Sequence, residues 1–148
     1  MEYFSAKRKI KFLLKDTDPE YRVQRVVNFL FDHFAHYNWV GIYRVNGNEL
    51  VLGPWKGTQA TEHTHIPVGK GICGSAAKSG KTEIVDDISS DHRYLSCFLS
   101  TKSEIVVPIK RENIVVGEID IDSDVPAAFS KQDKVFLEKV ADMLSQHI

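Results

Sequence analysis

The sequence has little cysteine, and what it has is not patterned. Two cysteines, Cys73 and Cys97, in 148 residues cannot build a disulfide framework. In a reducing compartment both rest as thiols, and a cytoplasmic location follows as the expectation. There is no CxxC pair, no HExxH and no Cys/His cluster at zinc spacing, so neither a metal nor a cofactor is predicted. Charge of one sign is also lacking. Nineteen Lys and Arg against twenty Asp and Glu leave a net charge of -1, which gives no bulk attraction to nucleic acid or to an acidic membrane surface. No apolar run approaches the about 18 residues of a membrane span, and the N-terminal MEYFSAKRKIKFLLK is too charged for a secretory segment. Repeats, linkers and low-complexity tracts are absent, so residues 1–148 are read as one domain, with residues 1–15 as a helical extension.

What is present reads as an α+β pattern. Residues 1–15 mix Phe4, Ile10, Phe12, Leu13 and Leu14 with lysines and an arginine, as an amphipathic helix with a basic side does. Thr17 and Glu20 have capping-box spacing, and Pro19 suits a first helical turn. The following helix runs to about His36, with Val23, Val26, Val27, Leu30, Phe31 and Phe34 facing the core. Trp39 to Val45 and Glu49 to Trp55 read as strands around an Asn46-Gly47-Asn48 turn. His63 to Val68 is a third extended piece, with His63 and His65 on one exposed face. Gly69 to Gly80 is a tight loop entering a short helix, and Thr82 to Val85 a short strand. A polar loop spans Asp86 to Ser96. Glu104 to Ile109 and Ile114 to Ile121 are strands, and Ser130 with Asp133 caps a last helix striped by Phe136, Val140, Met143 and Leu144. Hairpin-length turns make the sheet mainly antiparallel, with helices flanking it.

The chemistry concentrates between Gly69 and Ser123. Gly80-Lys81-Thr82 ends like a phosphate-binding loop, but the glycine spacing is wrong and a helix precedes it where a strand is needed. Nucleotide hydrolysis is excluded there. Cys73 sits near the start of the short helix, where free N–H groups and the helix dipole favour thiolate. The alternative is a small buried hydrophobe. Cys97 lies in a serine-rich loop, suited to a mobile thiol. Alternation places Glu118, Asp120 and Asp122 on one face of their strand, and Glu104 on the preceding strand adds a fourth acid. Either that face is solvated, or its charge is met by a metal or a ligand ammonium; no histidine lies close in sequence, which weakens the metal, and the ammonium fits the charge. A carboxyl with a raised pKa there would serve as a general acid. Trp39 and Tyr43 share a strand face, as core packing or as an aromatic wall for an apolar or thioether group.

The stretches Asn38-Trp39-Val40-Gly41-Ile42-Tyr43, Leu52-Gly53-Pro54, Ile66 to Gly74, Thr101 to Pro108 and Gly117 to Ser123 resemble those of the free methionine-(R)-sulfoxide reductases, which are single GAF-domain enzymes. The likeness runs from about residue 17 to the end. It implies the GAF fold, with a central antiparallel sheet of about six strands and flanking helices. It implies an enclosed pocket for free methionine sulfoxide, a homodimer, and a thioredoxin-like reductant. By motif, Glu104, Asp120 and Asp122 match the substrate-binding acids, and Trp39 and Tyr43 the aromatic wall. Cys97 matches the cysteine that attacks the sulfoxide, and Cys73 a second cysteine of the set. One departure stands out: many members carry a third cysteine where this chain has His63. The other reading of the same pocket is a non-catalytic GAF sensor of a small molecule or of redox state.

Overall fold

The computed structural model describes residues 2–16, 18–94, 98 and 100–148. Its elements are α1 (Tyr3–Leu13), α2 (Pro19–His33), β1 (Trp39–Asn46), β2 (Glu49–Gly57), β3 (His65–Pro67), α3 (Gly71–Ser79), β4 (Glu83–Val85), β5 (Ser103–Arg111), β6 (Ile114–Ser123) and α4 (Lys131–Leu144), with one 3-10 turn at Ile88–Ser90. The six strands form one antiparallel sheet in the order β3-β2-β1-β6-β5-β4. This is the GAF fold.

Alternation along the central strands makes two cores. Val40, Ile42, Ile105, Val107, Ile109, Ile119 and Ile121 point to the face that α1, α2 and α4 cover. Trp39, Tyr43 and Val106 point to the other face, where Ile66, Ile72, Cys73, Ala76, Ala77 and Phe98 pack on them. The first layer is built from these apolar side chains, with the buried Ser103 and Ser123 at the end of its β5–β6 pair. The second holds the acids of β5 and β6, which is where the site forms.

Local chemistry explains the element ends and the departures from the expected bounds. Asp18, not Thr17, caps α2: its carboxylate accepts from the Glu20 N–H at 3.1 Å, and Pro19 occupies the first turn. Thr17 itself lies outside the described residues. β2 continues through Pro54 to Gly57, further than expected. The register breaks there, since Gly41 pairs with Trp55 but Tyr43 pairs with Leu52, and a bulge tolerates a residue without an N–H. β3 begins at His65, so His63 is not on a strand and does not share a strand face with His65.

In α1 the buried side is Ala6, Ile10 and Leu14, while Phe4 and Phe12 are exposed. Four-residue steps stay on one face, and Phe4 and Phe12 fall off it. Tyr3 ties this helix to α4. Its hydroxyl donates to Asp133 Oδ1 at 3.2 Å, and its ring lies 5.1 Å from that of Phe136. Ser130 and Asp133 form the expected reciprocal cap: the Asp133 N–H donates to Ser130 Oγ at 3.2 Å, and the Ser130 N–H to Asp133 Oδ2 at 2.9 Å.

Candidate functional site

Three paired strands lay out the site as rows. On β6, Asp122, Asp120 and Glu118 pair with Trp39, Gly41 and Tyr43 of β1 on one side. On the other side the same acids pair with Glu104, Val106 and Pro108 of β5. Directly paired residues share a sheet face. An acid row therefore runs between an aromatic row and a second strand that adds Glu104.

This face is not solvated. Glu118 is 0% exposed, and Glu104, Asp120 and Asp122 are 4%, 6% and 3% exposed. The reading of a solvent-facing acid strip is thus corrected: α3 and Phe98 pack over this face of the sheet. Asp122 accepts from Thr101 Oγ1 at 3.4 Å. Asp122 Oδ1, Asp120 Oδ1 and both oxygens of Glu118 have no hydrogen-bond partner among the described residues. Buried anions without partners are costly, so the acids respond by holding protons.

Burial is the first cause in each case. It raises the Glu118 carboxyl well above the ordinary range, with the Asp120 charge adding to it. Glu104 is raised by burial and then by the charges of Asp120 and Asp122. Asp122 is likewise raised by burial and by Asp120. Asp120 is raised by burial but helped back toward its anion by hydrogen bonds from Glu104 and Cys73. The cluster thus has a centre: Asp120 is the acid best equipped to carry charge, and its neighbours keep protons around it.

Cys73 stands in the first turn of α3 with its Sγ 3.9 Å from Glu104 Oε2. Its helix-start position favours a thiolate, with a small buried hydrophobe as the alternative. The structure buries the side chain, as the alternative has it. Burial raises the thiol well above its usual range, and Asp120, Glu118, Glu104 and Asp122 push it further. A helix terminus offers at most about 2 kcal/mol, which burial of the thiol outweighs. Cys73 is a free, buried cysteine whose raised pKa favours the thiol over the thiolate.

The aromatic row is built by glycines. The Trp39 ring lies where side chains at 41 and 57 would be: a Cβ on Gly41 would meet Trp39 Cη2 at 2.3 Å, and one on Gly57 would meet Cδ1 at 2.2 Å. The ring stacks on Trp55 at 6.1 Å and leans on Phe98 at 5.9 Å. Tyr43 is 1% exposed, and its hydroxyl donates to the His63 carbonyl at 2.7 Å. His63 therefore reaches the site through its backbone. A cavity of about 20 Å³, enough for about one water, is lined by Tyr43, Ile66, Ile72, Cys73, Tyr94, Glu104 and Asp120.

The structure brings together Cys73, Tyr43, Glu104 and Asp120, with Asp122 and Trp39 one step along the rows. Cys97, to which the resemblance gives the attacking role, lies outside the described residues. Sequence reasoning missed Thr101, Phe98, Gly41 and Gly57 as parts of the site. The signal for the glycines was there, since Gly41 interrupts an apolar strand, but it needed the pairing of Trp39 with Gly57 and of Gly41 with Trp55 to be read.

The GAF domain family matches residues 18–148. The chain is 32% identical to the free methionine-R-sulfoxide reductase of Escherichia coli over 79% of this chain and 70% of that protein. Its fold superposes on the free methionine-R-sulfoxide reductase of Neisseria meningitidis in complex with its substrate. The TM-score is 0.90 at 32% identity, over 98% of this chain and 87% of that one. It also superposes on the substrate complex of fRMsr from Staphylococcus aureus, with TM-score 0.88 at 33% identity, over 99% of this chain and 95% of that one.

Proposed function

The chain belongs to the free methionine-R-sulfoxide reductase family of GAF domains, and from that premise we propose that it reduces free L-methionine-(R)-S-oxide to methionine. The observation that carries the reading is a buried carboxylate cluster with unsatisfied oxygens, set beside a thiol and an aromatic wall. An amino-acid ammonium is the group such a cluster lacks. Asp120, Glu104 and Asp122 receive it, while Trp39 and Tyr43 hold the thioether end. The cavity is smaller than the substrate, so binding moves its walls apart.

The chemistry runs as oxygen transfer followed by condensation. A protonated carboxyl, with Glu104 the best placed beside the thiol, gives a proton to the sulfoxide oxygen. The Cys97 thiolate attacks the sulfur, the S–O bond breaks, and oxygen passes to Cys97. Methionine leaves and Cys97 becomes a sulfenic acid. Cys73 then condenses with it. Its proton passes by way of Asp120 to the hydroxyl leaving Cys97, so that water departs and a Cys73–Cys97 disulfide forms. A thioredoxin-like dithiol returns both thiols, which fits work in the cytoplasm as a homodimer. With His63 where many members carry cysteine, Cys73 is the residue left to resolve the intermediate.

The test is sulfoxide consumption by the purified protein, with thioredoxin, its reductase and NADPH in one arm and dithiothreitol in the other. Turnover in both supports the scheme. Turnover with dithiothreitol alone removes Cys73 from the resolving role, and none in either, in folded protein, removes the reductase reading.

A further inference from the structure

One donor atom each from Cys73, Glu104 and Asp120 lies within 4.8 Å of the other two, and all three residues are buried. Sulfur and oxygen ligands of a tetrahedral zinc ion stand about 3.3–3.5 Å apart, given bonds of about 2.3 Å to sulfur and 2.0 Å to oxygen. The Cys73–Glu104 separation of 3.9 Å is close to that already. Asp120 Oδ1 has no partner among the described residues and lines the same cavity, whose volume of about 20 Å³ suits one ion or one water. Glu118, both of whose oxygens also lack a partner among the described residues, stands two residues from Asp120 on the same face of β6. The donors stand on two paired strands and a helix start, so they are held in place before any ion arrives.

We propose that Cys73, Glu104 and Asp120 form a binding site for a single thiophilic divalent cation of the zinc type. A thiolate among carboxylates selects zinc or cadmium over magnesium or calcium, which take oxygen ligands alone. The expectation of no metal rested on the absence of a nearby histidine in sequence. It missed that the fold carries a cysteine across to the acid strip. The ion takes the place of a positively charged ligand group and ties up the thiol. On the reductase reading, on which this last consequence rests, it inhibits the enzyme in competition with substrate.

The experiment is a calorimetric titration of the reduced protein with Zn²⁺, paired with a Co²⁺ titration read at the thiolate-to-cobalt charge-transfer band. One-to-one binding is expected, with the charge-transfer band present in wild type and in Cys97→Ser. Affinity should fall by about tenfold or more in both Cys73→Ser and Glu104→Gln, each checked as folded by circular dichroism. Should one variant fail to fold, the other and Asp120→Asn carry the comparison. Unchanged affinity in these variants, a band lost only in Cys97→Ser, or no binding would each overturn the site. None of these readouts needs turnover, so a protein without reductase activity still decides the question. Zn²⁺ inhibition relieved by excess sulfoxide would then place the ion in the substrate's own cavity, and inhibition that substrate cannot relieve would overturn the competition.

Discussion

The Cys73 thiol faces the Glu104 carboxyl across 3.9 Å in a fully buried setting, with Asp120 completing the triangle. This relationship inverts the usual meaning of a cysteine at a helix start. Burial first, and the surrounding acids after it, raise the Cys73 thiol well above its usual range.

Cys73 should therefore be slow to alkylate. In the Cys97→Ser protein, iodoacetamide at about pH 7.5 should modify Cys73 at least about tenfold more slowly than a free thiol. Full labelling should follow on unfolding. Mass spectrometry of a time course measures it, and a rate matching free cysteine contradicts the protonated state.

Glu118 is wholly buried, with neither oxygen partnered by a hydrogen bond among the described residues. Its carboxyl binds a proton more readily folded than unfolded. The folded chain then holds the extra proton, and stability falls as pH rises from the ordinary carboxylate range through the raised value. Glu118→Gln should be more stable than wild type by about 1–3 kcal/mol at neutral pH. The gap should close toward about pH 4, where the acid is protonated in both states. Urea melts across pH give the answer, and a gap that widens on acidification contradicts it.

Trp39 occupies the space that Gly41 and Gly57 leave open. Gly41→Ala should push the indole off Trp55 and Phe98, at a cost of about 1–3 kcal/mol for overpacking. Tryptophan fluorescence should shift, and sulfoxide turnover should fall more than stability does. A variant with unchanged emission and turnover would show that the aromatic row does not depend on this packing.

On the helix side, Asp133 holds the α4 cap and accepts from the buried Tyr37 hydroxyl at 2.6 Å and from Tyr3. Asp133→Ala should cost about 2–4 kcal/mol, from a lost cap and a stranded phenol. Thermal melts should show it. Turnover per folded molecule should hold, since none of these groups reaches the acid face.

Much of this architecture was legible from local rules. The β6 alternation already separated Ile119 and Ile121 from Glu118, Asp120 and Asp122, and Ser130 with Asp133 announced its helix. What alternation cannot say is whether the polar face meets water. That depends on α3 and Phe98 crossing from elsewhere in the chain, so the burial of the acids and the protonation of Cys73 were not readable. The same holds for Phe4 and Phe12: they are apolar in composition, but their angular position on α1 leaves them outside the core. The Trp39 pocket needed the register of β1 with β2, including the bulge at Pro54, before two glycines far apart in sequence could be seen to serve one ring.

The central claim is that the buried acids receive the ammonium of a free amino acid. Initial rates on free L-methionine-(R)-S-oxide and on its N-acetylated form, under one reductant, test it most directly. The account predicts turnover of the free compound and a loss of at least about a hundredfold for the acetylated one, since about 3 kcal/mol of charge pairing disappears. Equal rates on both would mean that Glu104, Asp120 and Asp122 do not read the ammonium, and would contradict the account.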